Sequence, residues 1–238
     1  MGGDVANFNL GALIGRPRLF PSRMTGRVDL SGGGTEPYRF DIDLRGDAGV
    51  FDVAGYYVPG DIPTYAASGQ ITGLDVRLLP GLQMLPPTAL RGALELEGRG
   101  TTLETIEGQL RFNAVGSSVA GMRVDRLNVN IAVRDGVLEV DTLDASLAGT
   151  ELAAGGRVGL TRPVAGDPLR FRAVSRDLSQ LASLAGGARG LQPRLTGSFT
   201  LQGALTGSVR APIVTAGFRG QGLRYEAWRA QRLELNAD

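Results

Sequence analysis

Histidine, cysteine and lysine are absent from this chain of 238 residues, and each absence removes a class of function. Without His or Cys there is no zinc site of the usual ligand set, no thiol nucleophile and no imidazole base. Without Cys there is no disulfide framework, which fits a reducing compartment or an envelope protein that never needed staples. All 25 basic residues are arginine, set against 24 acidic ones. A net charge of +1 gives no electrostatic footprint for nucleic acid. Aromatics make up only 6%. No run approaches the ~18 apolar residues of a membrane helix. The first residues, "MGGDVANFNL", lack the basic and apolar layout of a signal peptide, and "RLELNAD" stops in mid-pattern. The expectation is a segment of a longer protein.

What is present in excess is glycine, 36 residues, about twice the usual share. The apolar content of 42% is ordinary for a folded chain. Apolar and polar residues alternate along most of the sequence, as in "YRFDIDL" (38–44), "GALELEG" (92–98), "RLNVNIAV" (126–133), "LEVDTL" (138–143) and "LRFRAV" (169–174). Period two over four to eight residues marks a strand with one dry face. Turn signals fall between these runs at "SGGGTEP" (31–37), "RGDAG" (45–49), "RDG" (134–136) and "AGG" (154–156). Asp135-Gly136 between alternating runs is a hairpin signal. The chain reads as an antiparallel meander.

Three segments break the period and read as short helices: 7–15, 74–82 and 176–187. In the last, Asp177 is placed to cap, Leu178, Leu181 and Leu184 form a stripe, and Gly186-Gly187 ends it. After each comes a connector with proline, then a strand bracketed by glycines: "MTGRVDLSG" (24–32), "LRGALELEG" (90–98) and "LTGSFTLQG" (195–203). The grammar is apolar–x–Gly–x–apolar–x–Leu–x–Gly. It divides the chain, 1–238, into approximate repeats 7–73, 74–173 and 174–238.

Catalytic readings fail on the residues. A phosphate loop needs strand, glycine turn and helix in order, and "GFRGQGLRY" (217–225) runs on into strand-like sequence. The pairs Asp41/Asp43 and Glu95/Glu97 sit at i, i+2 on a strand and so share its wet face. "VGSSVAG" (115–121) departs from a nucleophile elbow at Ala120, and no His exists to activate Ser118. No enzyme is expected, and no cofactor or metal.

The candidate site is therefore the apolar face that nearly every strand offers. Its residues are Val28, Leu30, Phe40, Ile42, Leu44, Phe51 and Val53 in the first third. Leu94, Leu96, Leu110, Phe112, Leu127, Val129, Ile131, Val133, Leu138 and Val140 continue it. Leu169, Phe171, Phe199, Leu201, Leu233 and Leu235 complete it, with a thinner stretch around Ala145, Leu147 and Leu152. Two architectures accommodate such faces. A closed β-sandwich buries them against each other. A curled sheet, growing along one axis as repeats do, leaves them lining a trough.

The last repeat carries Leu195, Gly197, Leu201, Gly203, Gly207, Ala211-Pro212, Gly217, Gly222-Leu223 and Tyr225. In this it resembles the repeats of the TamB/AsmA-like envelope proteins of diderm bacteria. The repeats at 9–58 and 74–160 fit the phrase more loosely and lack its Ala-Pro step. The resemblance implies an all-β fold, an elongated curled antiparallel sheet with a few short helices and a U-shaped hydrophobic groove. It implies a non-enzymatic conduit for phospholipid between inner and outer membranes, acyl chains being the ligand. It implies a periplasmic location in a protein anchored to the inner membrane elsewhere. An outer-membrane assembly-factor barrel would be the partner through other regions. The alternative it leaves open is a scaffold or chaperone that assists outer-membrane protein assembly by strand pairing.

Overall fold

The computed structural model describes residues 2–8, 23–34, 36–78, 86–179 and 195–237. The fold is all-β and antiparallel, with the chain divided into two units, Met1–Arg123 and Val124–Asp238. Strands β1 (Gly2–Phe8), β2 (Met24–Gly33), β3 (Glu36–Gly46), β4 (Gly49–Val58), β5 (Thr64–Leu74), β6 (Thr88–Arg99) and β7 (Glu107–Ala114) pair in chain order in the first unit. A short β8 (Ser117–Val119) returns to pair with β6 through Thr88↔Val119 and Ala89↔Ser118. The second unit continues the same rule with β9 (Met122–Arg134), β10 (Val137–Leu147), β11 (Thr150–Gly159), β12 (Leu169–Ser175), β13 (Leu195–Gly207), β14 (Pro212–Tyr225) and β15 (Trp228–Ala237). The repeat 74–173 spans parts of both units.

Tight turns make this meander possible. Asp135 and Gly136 both have positive φ, 51° and 71°, the signature of a two-residue type I′ hairpin whose twist matches its strands. Ala148 and Gly149 repeat the geometry between β10 and β11. That turn, not "AGG" at 154–156, separates these strands: Ala154, Gly155 and Gly156 lie inside β11. Their small size serves packing, because Ala154 stands directly opposite Phe171.

The glycine motifs also sit differently from the expectation that they bracket strands. Gly26, Gly92 and Gly197 are interior to β2, β6 and β13. At Gly197 the backbone has φ +115° and the register to β14 slips between Thr196 and Ser198, so this glycine makes a bulge. A Cβ there would stand 2.7 Å from the Gln221 carbonyl oxygen. At Gly26 a Cβ would collide with the Asp43 carbonyl of β3.

Of the expected helices, 74–82 appears as a single 3₁₀ turn, Val76–Leu78, with residues 79–82 outside the described residues. Asp75 caps it, its Oδ1 accepting from the Arg77 amide at 3.0 Å. The first segment is strand at residues 7–8, and 9–15 lie outside the described residues. In the third, the Asp177 carboxylate accepts from the Ser179 amide at 2.9 Å, as a cap does, and Leu178 is buried. Residues 180–187, including Leu181 and Leu184, lie outside the described residues.

Candidate functional site

Directly opposed residues of an antiparallel pair share a face, so register decides which side chains meet. In the first unit one row runs Val28–Ile42–Val53–Gly69–Leu94–Phe112 across β2 to β7. The next runs Leu30–Phe40–Gly55–Ala67–Leu96–Leu110. A third joins Leu44, Phe51 and Ile71. Each expected site residue from Val28 to Phe112 therefore falls on one continuous apolar face.

That face is graded along the strands. At one end Met24 and Leu44 are fully buried (0% exposed) with Ala48, and Val5, Val28, Ile42 and Phe51 pack on them. Phe40, Ile42, Val53, Leu94, Leu96, Leu110 and Phe112 are half-buried. At the far end Leu30 is 44% exposed, and Tyr38, Tyr57 and Tyr65 stand opposite one another on β3, β4 and β5. Tyr65 donates its hydroxyl to the Gly100 carbonyl at 3.1 Å, and burial pushes its phenol pKa up. Three tyrosines give this edge an amphipathic lip.

The second unit has a matching face. One row is Leu127–Ala145–Leu152–Ala173–Leu201–Phe218–Leu235, and another is Val129–Leu143–Ala154–Phe171–Gly203–Ala216. Ile131 meets Val140, Val133 meets Leu138, Leu169 meets Leu205, and Leu233 meets Gly220. Phe199 and Phe218 stack with ring centroids 5.8 Å apart. Leu235 is 55% exposed. The expected residues from Leu127 to Leu235 share this face.

Two structural devices behind these rows escaped the period-two reading. The first is a bulge in β10, where one extra residue between Val140 and Leu143 is unmatched in both β9 and β11. It flips the alternation, so that Leu143, Ala145 and Leu147 join the face of Leu138 and Val140. The second is a seat for a phenylalanine ring. Phe40 lies over its cross-strand partner Gly55, where a Cβ would stand 2.6 Å from Cζ. Phe171 lies over Gly203 in the same way, at 2.5 Å. The glycine in each row is the space that the ring occupies. Met24, Ile71, Tyr57 and Tyr65 were also missed: Ile71 pairs with Phe51, Tyr57 with Tyr38, Tyr65 with Tyr57, and Met24 packs against Leu44, all relations between strands.

The opposite faces are polar and carry cross-strand ion pairs: Arg111–Glu95 (3.5 Å), Arg99–Glu107, Arg157–Glu139 (3.0 Å) and Arg219–Glu234 (3.6 Å). These are exposed and contribute little singly. A cavity of about 580 Å³ opens on this face in the first unit, floored by Ala54, Ala66 and Ser68 and walled by Arg39, Tyr56, Glu95, Glu97 and Arg111. A second, of about 870 Å³, opens on the polar face of β11 to β15. Neither was foreseen, because both arise where small residues on adjacent strands come into register.

Among the described residues, this arrangement pairs no nucleophile with a base. Ser117 of the "VGSSVAG" stretch holds backbone instead: its Oγ accepts from the Arg91 amide at 2.8 Å and donates to the Arg91 carbonyl at 3.2 Å. The geometry offers two binding surfaces, one apolar and one polar, on opposite sides of each unit. No family model, no characterised protein and no solved structure matches the chain.

Proposed function

We propose that the chain is a non-enzymatic hydrophobic conduit that carries phospholipid acyl chains on its apolar faces, in the periplasm of a diderm bacterium, as its resemblance to the TamB/AsmA-like proteins implies. The observation that supports this reading is the apolar face of the first unit, continuous in register yet only half-buried over most of its length. Six strands give five spacings of about 4.8 Å, or about 24 Å of apolar surface. One leaflet of a bilayer's hydrocarbon core is about 15 Å, so a single acyl chain has room to lie across the strands. Transfer from lipid to this face costs little, since an acyl chain that leaves the bilayer covers apolar surface again on the face. The Tyr38, Tyr57 and Tyr65 lip suits the boundary between acyl chain and head group, as tyrosines do at membrane interfaces.

Photocrosslinking from Ile42 and Val129 tests this. Lipid adducts at both positions, lost when a charge is placed at Phe40 or Ile131, are the expected result. Adducts with protein alone, or none, would sink the proposal. The second reading, a scaffold that pairs strands with outer-membrane proteins, draws on β15, whose outer edge has no partner strand among the described residues. Under it, proline substitutions in β15 abolish function while charges at Phe40 do not.

A further inference from the structure

The second cavity differs from everything around it in charge. Strands β12, β13 and β14 contain no Asp or Glu, and the chain from Leu178 to Tyr225 has none either. On the polar face of these three strands stand Arg170 and Arg172 of β12 and Arg219 of β14. Arg219 is engaged by Glu234, which Arg232 also holds at 2.6 Å. Arg170 and Arg172 are exposed, line the cavity, and have no ion-pair or hydrogen-bond partner among the described residues.

Their surroundings are those of an anion site. Residues i and i+2 on a strand point the same way, with Cα atoms about 6.7 Å apart. Gln202 stands directly opposite Arg172, and Thr215 is two strands from Arg170 in the same row. Asn236 closes the far wall. Between them the floor is Ala153, Gly155, Ala204 and Gly217, small enough to leave the guanidinium groups reachable. The carboxylates nearest in register lie outside the lining: Glu151, two residues along the same face of β11 from Ala153 and diagonal to Arg172, and Asp144 of β10, directly opposite Ala153. Arginine's planar fork matches tetrahedral oxyanions in a bidentate fashion. Amide and hydroxyl donors beside two such forks complete the donor set for more than one anionic group.

We propose that this cavity binds a ligand with two or more phosphate charges, held by Arg170 and Arg172 on the polar side of the sheet. The site is independent of the apolar conduit, from which the sheet itself separates it. The ligand is a soluble phosphate ester or a phosphate presented on a lipid surface, and the two sources are separable by experiment.

The test uses the whole chain at low ionic strength, with inorganic pyrophosphate in calorimetry and with vesicles of phosphatidylglycerol against phosphatidylcholine in flotation. Arg170→Gln/Arg172→Gln is compared with Arg39→Gln, an exposed arginine of the other cavity. The expected result is pyrophosphate binding weakened about tenfold or more in the double variant and unchanged in Arg39→Gln. Arg170→Lys/Arg172→Lys should fall between, keeping charge but losing the fork. Arginine-dependent binding to phosphatidylglycerol vesicles without pyrophosphate binding supports the site and assigns the phosphate to a lipid surface. Absence of both, or binding indifferent to the double substitution, overturns the proposal. Lipid adducts from Val129 should persist in the double variant, so the conduit and the anion site fail separately. All the substituted side chains are exposed, and an unchanged thermal midpoint confirms that each variant folds.

Discussion

The two units use one plan and differ in how they finish it. Both are antiparallel meanders with an apolar face set in register and a phenylalanine seated over a glycine at its centre. The first unit closes one end of its face over Met24, Leu44 and Ala48 and rims the other with tyrosines. The second buries Val140, Val158 and Leu160, carries no tyrosine row, and leaves Leu152, Val214 and Leu235 exposed. Their polar faces diverge further. The first unit's cavity holds Asp41, Glu95 and Glu97 with Arg39 and Arg111, and the second holds two arginines and no carboxylate. A shared apolar pattern with opposite polar chemistry separates what the fold requires from what a particular stretch of it can bind.

The largest effect that sharpens this comparison is expected at Leu44. Leu44→Ala empties a fully buried position and should cost about 3 kcal/mol by urea unfolding. Leu201→Ala, on the half-buried face of the second unit, should cost nearer 1 kcal/mol. Equal losses would mean that both faces are packed alike. Gly55→Val and Gly203→Val come next, at about 2 kcal/mol each, because the new side chain collides with the backbone carbonyl of Ala66 or Thr215 and displaces the seated ring. If only one of them destabilises, the seat is not a shared device. Arg111→Gln breaks an exposed pair with Glu95 and should change stability by less than about 0.5 kcal/mol.

The smallest effect is a pH dependence at the 3₁₀ turn of the first unit. The hydrogen bond from Arg77 holds the Asp75 carboxyl below its ordinary value, against burial, which raises it. A lowered folded value means that the contribution is present above the unfolded pKa and is lost as pH falls through the folded one. Acid below about pH 4 should therefore loosen the 3₁₀ turn, raising hydrogen exchange at the Val76 amide, which donates to Thr88 Oγ1 at 2.8 Å. Asp75→Asn should remove that pH dependence.

Much of this was legible in the residues. Strict alternation placed Phe40, Ile42, Leu94, Leu96, Val129 and Ile131 on dry faces, and Asp135-Gly136 named its own hairpin. Alternation misleads where the backbone changes parity. Leu143 joins the apolar face only because β10 carries an extra residue, which nothing local to "LEVDTL" announces. The "AGG" of β11 resembles a turn because small residues serve turns and close packing equally. The polar cavities were invisible for another reason. Ala54 lies on β4 and Ala66 and Ser68 on β5, and only pairing makes them one floor.

By itself the sequence determined the all-β class, the sidedness of strands without a bulge and the exclusion of imidazole and thiol chemistry, because these depend on residue identity and period two. Tertiary structure alone decided which rows align, where a bulge restores a face, and that Arg170 and Arg172 share a hollow whose lining holds no carboxylate. Register and electrostatic neighbourhood are relations between strands, and a single strand cannot encode them.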